Sequence, residues 1–303
     1  MPSRHQKICF LALVLVLSCR NLRPQESPAR ALPVRQDLPE DAKEIVRRGL
    51  DADHHDFVRA RDYTFEQREE LKVLDRKGQV KKHEINTYDI TILYGEPYAR
   101  RIRKDDKPLT DKDEKKAADK VDRFVSEREN ESASEHHKRL AKEEKERQEE
   151  RAFEGDIINA YDFQIVGEDR VDGHDAYVVQ ANPRADFHPT QPHADILSKV
   201  RGKIWIDKKD YGWIKLEAET LDTISWGLFL VRIHKGTQME FEQTRVNDEI
   251  WLPRRISLNA SARFALVANG TFDYELRFSQ YKKFTSDVKI LPGATEVQPT
   301  TSQ

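Results

Sequence analysis

Two runs decide the fold of this chain: Lys203-Ile204-Trp205-Ile206-Asp207 and Trp213-Ile214-Lys215-Leu216-Glu217-Ala218-Glu219, with a turn at residues 208–212 between them. Apolar and polar residues alternate in the second run, and the first run has an apolar centre between two charged residues. A period of two is typical of an antiparallel strand that turns one face to the core and the other to water. The two runs therefore predict a β-hairpin.

The same alternation continues through most of residues 157–284. Residues 239–241, 256–264 and 272–278 each place apolar side chains at every second position, and Gln243 continues the first alternation. Turn sequences such as Val171-Asp172-Gly173-His174 separate these runs. Seven or more strands in succession predict one large, curved antiparallel sheet.

A helix and further hairpins precede this region. Leu38-Pro39-Glu40-Asp41 has the proline and the acidic residues typical of a helix start, and residues 45–58 continue with apolar residues at roughly helical spacing. From Tyr63 to Arg103 the period is two, with turns at residues 75–79 and 95–98. This order predicts a meander of hairpins rather than a βαβ unit.

Residues 105–154 form a block that is dense in charges of both signs. Acidic residues at its start and acid-to-base pairs four residues apart predict helices. Its one apolar stripe is short: Ala117, Val121, Phe124 and Val125. A pair of solvated helices inserted in a hairpin is the favoured interpretation, and a partner-binding coiled coil, which needs a longer apolar seam, is the alternative.

The amino terminus has the features of an export signal. A basic segment precedes an apolar run at residues 8–17, which is too short to span the ~30 Å of a bilayer core, so residues 1–18 are predicted to be a signal peptide. The run ends in Val16-Leu17-Ser18-Cys19, which resembles a bacterial lipobox and predicts lipidation of Cys19. Cleavage after Ala31 and an uncleaved anchor are the alternatives. Residues 19–37, with three prolines, then form a tether, and residues 286–303 form a flexible tail.

Charge and cysteine content exclude several functional classes. Lys and Arg number 52 against 54 Asp and Glu, a net charge of −2 that lacks the basic excess of a nucleic-acid binder. A mean hydropathy of −0.80 excludes a protein with many membrane spans. The two cysteines, Cys9 and Cys19, both lie in the signal region, so the mature domain has no thiol for a disulfide, a zinc site or a nucleophile.

Motifs for catalysis are absent from the sequence. It contains no G-x-S-x-G, no H-E-x-x-H and no glycine-rich phosphate loop. His188 and His193, near Asp186 and Asp195, lie in a proline-containing loop without preset ligand geometry, so an ordinary loop is favoured over a metal site. Four carboxylates are paired at alternate strand positions: Glu217 with Glu219, and Glu240 with Glu242. They lie opposite the apolar residues, which predicts a solvated face rather than a glycosidase pair. We expect no enzyme activity and no cofactor.

Three segments together resemble a known family. They are Phe163-x-Ile165-x-Gly167 followed by Val171-Asp172-Gly173-x-x-Ala176-Tyr177, then Gly202-Lys203-Ile204-Trp205-Ile206-Asp207, then Glu242 followed by Val246-Asn247-Asp248-x-x-Trp251-Leu252-Pro253. Over residues 40–284 the chain is similar in these segments to the LolA/LolB-like outer-membrane lipoprotein-sorting superfamily and its RseB-like relatives. The resemblance implies an α+β, mostly β fold: a large curved antiparallel sheet, or half-barrel, with helices over its concave face. One domain then spans residues 38–285 and includes the charged helical insertion at 105–154.

The resemblance also implies an apolar cavity that accepts acyl chains. Its expected lining is the set of large apolar residues at alternating positions late in the chain: Trp226, Phe229, Met239, Phe241, Ile256, Leu258, Phe264, Phe272 and Phe278. A core filled by its own packing is the alternative. The expected function is a noncatalytic, lipid-anchored protein of the periplasm or outer membrane that binds a lipid or the acyl chain of a lipoprotein. The alternative is an envelope sensor or scaffold that binds a protein partner through its charged helices.

Overall fold

The computed structural model describes residues 41–75, 77–226, 231–264 and 268–284. The helices in these ranges are α1 (Ala42–Arg59), α2 (Asp111–Glu129) and α3 (Ala133–Ala160), with 3-10 helices at Ala60–Asp62 and Ala194–Lys199. The strands are β1 (Tyr63–Leu74), β2 (Val80–Leu93), β3 (Glu96–Lys104), β4 (Lys107–Pro108), β5 (Tyr161–Val171), β6 (His174–Pro183), β7 (Val200–Asp207), β8 (Trp213–Thr220), β9 (Ile224–Trp226), β10 (Val231–Ile233), β11 (Gln238–Val246), β12 (Ile250–Phe264) and β13 (Ala268–Lys283). The predicted signal peptide, Cys19, the tether and the tail from residue 286 lie outside the described residues.

Eleven strands form one antiparallel sheet in the order β4-β3-β2-β1-β13-β12-β11-β8-β7-β6-β5. The short β10 pairs with β12 and with β9. The sheet is open rather than closed into a barrel, because β4 and β5 stand at its two ends. β1 pairs with β13, with Glu69 opposite Leu276, so the two halves of the chain meet in mid-sheet. The structure confirms the predicted class, α+β and mostly β, built on a large antiparallel sheet.

In the middle of the sheet, residues opposite one another give one apolar face and one polar face. Across five adjacent strands the register aligns one apolar line: Ile204, Leu216, Phe241, Ile256 and Leu276. The adjacent line is mostly charged: Lys203, Glu217, Glu240, Ser257 and Glu275. Side chains of successive residues point to opposite faces of a strand, so the alternation in the sequence becomes a two-faced sheet.

Helix α1 covers part of the apolar face. Its N-cap is Asp41, whose carboxylate accepts the backbone N–H of Lys43 at 3.1 Å. Ile45 and Val46 have 0% exposure and pack in a cluster with Val179 and Ile206 of the sheet. Burial of an aliphatic side chain contributes about 1.5–3 kcal/mol, so these two residues hold α1 on the sheet.

The predicted insertion is a helical hairpin whose second helix ends later than expected. Ser132 and Glu135 form a capping box at the start of α3, which then runs without a break to Ala160. The last two turns enter the core, where Ala160 is fully buried and Phe153 and Ile157 pack against the same cluster. The sequence predicts that the insertion ends at residue 154 and that strand structure begins at Ile157, but the strand begins at Tyr161. Because this packing buries one side of the helix, it extends α3 by about two turns.

The hairpin of α2 and α3 is fixed to β3 rather than free in solvent. The rings of Phe124 and Tyr98 lie 4.9 Å apart, and the guanidinium of Arg128 lies 4.8 Å above the Phe124 ring. Glu96 on β3 forms ion pairs with Arg128 at 3.1 Å and with Arg139 of α3 at 2.8 Å. These three charged side chains are only 9–18% exposed, so the ion pairs are shielded from solvent and from salt.

Candidate ligand-binding face

Four of the residues predicted to line a cavity meet in one buried cluster. Met239, Phe241, Ile256 and Phe278 are 1–7% exposed, and they pack with the fully buried Leu276 on the apolar face. Residues with so little exposure contact one another rather than solvent. In this part of the apolar face, the four predicted residues therefore lie together in the packed core.

The other predicted lining residues are distributed differently. Leu258 and Phe272 are partly exposed, and Leu258 packs against the edge of the same cluster. The backbones of Trp226 and Phe264 belong to β9 and β12, whereas Phe229 lies outside the described residues. The apolar cavity itself therefore stays a prediction for this set as a whole.

A row of partly exposed apolar residues continues the buried cluster toward one end of the sheet. It consists of Leu71, Val73, Leu258, Phe272 and Tyr274, which we call the open row. Leu71 lies opposite Tyr274, Tyr274 lies opposite Leu258, and Val73 lies opposite Phe272, so all five share the apolar face. The main helix contacts with the sheet are those of α1 with β5, β7 and β12, where Asp56 meets Trp251 at the start of the strand, and those of α2 with β3.

Sequence reasoning missed the β1 part of this row. The alternation of Leu71 and Val73 with Lys72 predicts a strand. The predicted lining of the apolar cavity, however, contains only residues late in the chain. The pairing of β1 with β13 brings Leu71 and Val73 beside Tyr274 and Phe272. The hydroxyl of Tyr274 donates to Glu69 at 2.7 Å, which holds the tyrosine beside β1.

The opposite, polar face carries a groove of about 720 Å³. The carboxylates that were predicted to be solvated lie on this face, and each has a basic partner: Glu217 with Lys215, Glu219 with Arg201, Glu240 with Arg255 and Glu242 with Arg254. Arg255 also binds Glu275 at 2.9 Å, so the ion pairs link neighbouring strands.

The histidine loop is held by hydrogen bonds to a buried carboxylate. Asp156 of α3 accepts the backbone N–H groups of Thr190 and Gln191, both at 2.9 Å, and the Thr190 hydroxyl at 2.7 Å. Burial favours the protonated acid, but these three hydrogen bonds outweigh it and lower the pKa of Asp156. Asp186, a suggested ligand, pairs with Arg184 at 2.9 Å. Within the described ranges, no three His, Cys, Asp or Glu side chains are grouped to hold a metal ion.

Two acidic residues lie where α1 meets the sheet. Asp53 accepts a hydrogen bond from Gln243 of β11 at 3.3 Å, and Asp56 accepts the backbone N–H of Trp251 at 2.8 Å. Burial raises the pKa of Asp53 to about 6, despite the hydrogen bond from Gln243, and the nearby Asp56 adds to the rise. Burial also raises the pKa of Asp56. The contact between helix and sheet therefore contains a carboxyl whose pKa lies well above that of an ordinary aspartate.

Comparison with known proteins gives matches among solved structures. Protein-family models and curated proteins give no match. The chain aligns over 81% of its length with 94% of a LolA superfamily protein from Nitrosomonas europaea, at 11% identity and a TM-score of 0.28. It aligns over 80% of its length with 95% of a lipoprotein-sorting domain from Vibrio parahaemolyticus, at 13% identity and a TM-score of 0.27. A MucA/MucB complex from Pseudomonas aeruginosa matches over 82% of this chain and 100% of that one, at 12% identity and a TM-score of 0.21.

TM-scores of 0.21 to 0.28 mean that the aligned backbones superpose poorly, so the fold assignment rests on the strand order and register of the chain itself. Among the described residues, no helix combines the length and the apolar character needed to cross a bilayer.

Proposed function

We propose that this chain is a noncatalytic protein of the bacterial cell envelope that binds a lipid, or the acyl chain of a lipoprotein, on the apolar face of its sheet. The observation that carries the proposal is the open row, in which five apolar side chains share one face and remain partly exposed. Apolar surface of this kind binds acyl chains by area rather than by directed hydrogen bonds, so we expect broad selectivity among lipids.

The geometry of the row suits an elongated apolar ligand. It starts on β1, crosses β13 and reaches β12, where Leu258 touches the buried cluster around Met239. Three neighbouring strands span about 10 Å at the usual strand spacing, so several methylene groups of a chain can lie across them. A ligand bound here covers residues that otherwise remain in contact with water.

Native mass spectrometry of the protein purified from a bacterial envelope tests this proposal. We expect bound phospholipid or lipopeptide in the wild type and its loss in Leu258→Arg, because a charge on the apolar face opposes acyl binding. Ser257→Arg is the matched control, since Ser257 is the next residue on β12 and faces the polar groove. An apo mass for the wild type, with no uptake of a fluorescent fatty acid, would contradict the proposal.

Lipid anchoring through Cys19 belongs to the same proposal. The lipobox-like sequence Val16-Leu17-Ser18-Cys19 supports it. We expect Cys19→Ala to leave the membrane fraction or to remain unprocessed. Unchanged membrane attachment, with cleavage after Ala31, would exclude the anchor.

A second function, binding of a protein partner, is favoured by the helical hairpin. The contacts of Glu96, Arg128 and Phe124 fix the base of the hairpin, while most side chains of α2 and of the first half of α3 are exposed. A fixed, highly charged projection suits a sensor or scaffold. If lipid binding persists when the exposed charges of α2 are neutralised, partner binding by the hairpin can be studied separately from lipid binding by the sheet.

A further inference from the structure

The end of the β1–β2 hairpin carries lysines, and hydrogen bonds to Asp75 hold three of its residues. Asp75 accepts the backbone N–H groups of Lys77 at 2.8 Å and of Gln79 at 2.9 Å, and the backbone N–H of Gly78 donates to the Asp75 carbonyl at 3.0 Å. Gly78 has a φ of +77°, a backbone conformation that glycine adopts without strain. The acidic side chain of the turn is therefore engaged in holding its shape.

The lysines at this end exceed the acidic groups that could neutralise them. Lys77 and Lys81 are exposed, and within the described part of the chain neither forms an ion pair. Lys82 pairs with Glu84 at 2.9 Å. Lys72 pairs at 2.8 Å with Glu70, which it shares with Arg68. Two cations at the tip thus remain available to an external anion.

Apolar side chains lie among these lysines. Val80 is 55% exposed, the highest value among the large hydrophobic residues of the described chain that are exposed. It is paired with the partly exposed Leu74 across the hairpin. Exposed apolar residues beside lysines are the combination by which peripheral proteins bind a membrane surface.

We propose that this hairpin end binds the surface of an anionic lipid bilayer. Lysine ammonium groups attract anionic headgroups, and Val80 and Leu74 can enter the boundary between headgroups and acyl chains. Nucleic acid is disfavoured because this tip offers no aromatic residue on which bases could stack. Leu71 and Val73, which begin the open row, lie on the same hairpin, so docking brings the start of that row to the bilayer.

Vesicle sedimentation tests the proposal with the chain from residue 20 onward, expressed without the predicted signal peptide, so that neither an acyl anchor nor the apolar run at residues 8–17 contributes. We expect salt-sensitive binding to vesicles that contain phosphatidylglycerol and little binding to pure phosphatidylcholine. Replacing Lys77, Lys81 and Lys82 by Gln should weaken binding on the order of a hundredfold, since each lysine near an anionic surface contributes several-fold. Val80→Asp should weaken it further.

Three lysines of α2 provide the matched control. Lys112, Lys115 and Lys120 are also exposed and form no ion pair within the described residues, so their change to Gln removes the same charge elsewhere. Equal binding by the hairpin variant and the control, or no binding by the parent protein, would overturn the proposal. Uptake of a fatty acid in solution should be unchanged in the hairpin variant, so a failure here is distinguishable from a failure of the proposed lipid site.

Discussion

Asp53 is the residue at which the structure predicts a dependence of stability on pH. Its folded-state pKa of about 6 lies above the ordinary value of 3.8, so the folded protein holds a proton there that the unfolded chain releases. The contribution of Asp53 to the free energy of unfolding is therefore fully present below pH 3.8 and is lost as the pH rises through the folded-state pKa of about 6. Asp53→Asn should raise the free energy of unfolding at pH 7 by about 1–3 kcal/mol, given ~1.4 kcal/mol per pKa unit, and should change little at pH 4.

Denaturant unfolding across this pH range measures the effect. Asp51→Asn on the same helix is the control, because Asp51 is exposed and only pairs with Arg47 at the surface, where an ion pair contributes at most about 1 kcal/mol. The same pH dependence in Asp53→Asn as in the wild type would show that another group is responsible.

Two glycines within helices should respond oppositely to substitution by alanine. Alanine ordinarily stabilises a helix interior by about 1 kcal/mol relative to glycine. A Cβ at Gly49 would lie 2.4 Å from Nε1 of Trp213, whereas a Cβ at Gly155 would meet nothing within 4 Å. Thermal unfolding should show Gly49→Ala destabilised by about 1–3 kcal/mol, because overpacking outweighs propensity, and Gly155→Ala stabilised. Stabilisation by both would mean that Trp213 moves aside freely.

At the scale of elements, the helical hairpin should be able to open without unfolding the sheet. Glu96→Ala leaves Arg128 and Arg139 without their shared partner on β3, which should lower the local opening free energy of α2 by about 1–3 kcal/mol. Hydrogen exchange of α2 amides measures that change, and the sheet amides should stay protected. Glu146→Ala, which breaks only an exposed pair with Lys142, should have no such effect. Faster exchange throughout the sheet would show instead that the hairpin supports the whole fold.

The same hairpin shows which elements the sequence allows one to predict. Its helices could be predicted from charge pairs and capping residues, because those interactions are local. The end of α3 could not, because a short apolar run such as Ile157–Ile158 fits a helix or a strand equally well. Packing against residues 194–197, far along the chain, decides in favour of the helix.

For the whole molecule, alternation predicted the two faces of the sheet but not its strand order. The pairing of β1 with β13 joins residues about two hundred positions apart, and no local pattern encodes it. That pairing creates the open row, so the β1 part of the candidate site was absent from the sequence prediction. The predicted lining residues around Met239 pack with one another in the core, so their role as a cavity lining stays a prediction.

Ligand binding at the open row should raise the stability of the whole domain. A ligand that binds only the folded state at a hundred times its Kd adds about 2.7 kcal/mol, which corresponds to roughly 5–10 °C in Tm for a domain of this size. We expect a lysophospholipid to give that shift in the wild type and in Ser257→Arg. Leu258→Arg should show no ligand-induced shift in Tm. The Tm of the unliganded variant should fall only modestly, because Leu258 is partly exposed. If the wild type shows no shift below the critical micelle concentration, the apolar face is sealed and partner binding by the charged hairpin becomes the better account.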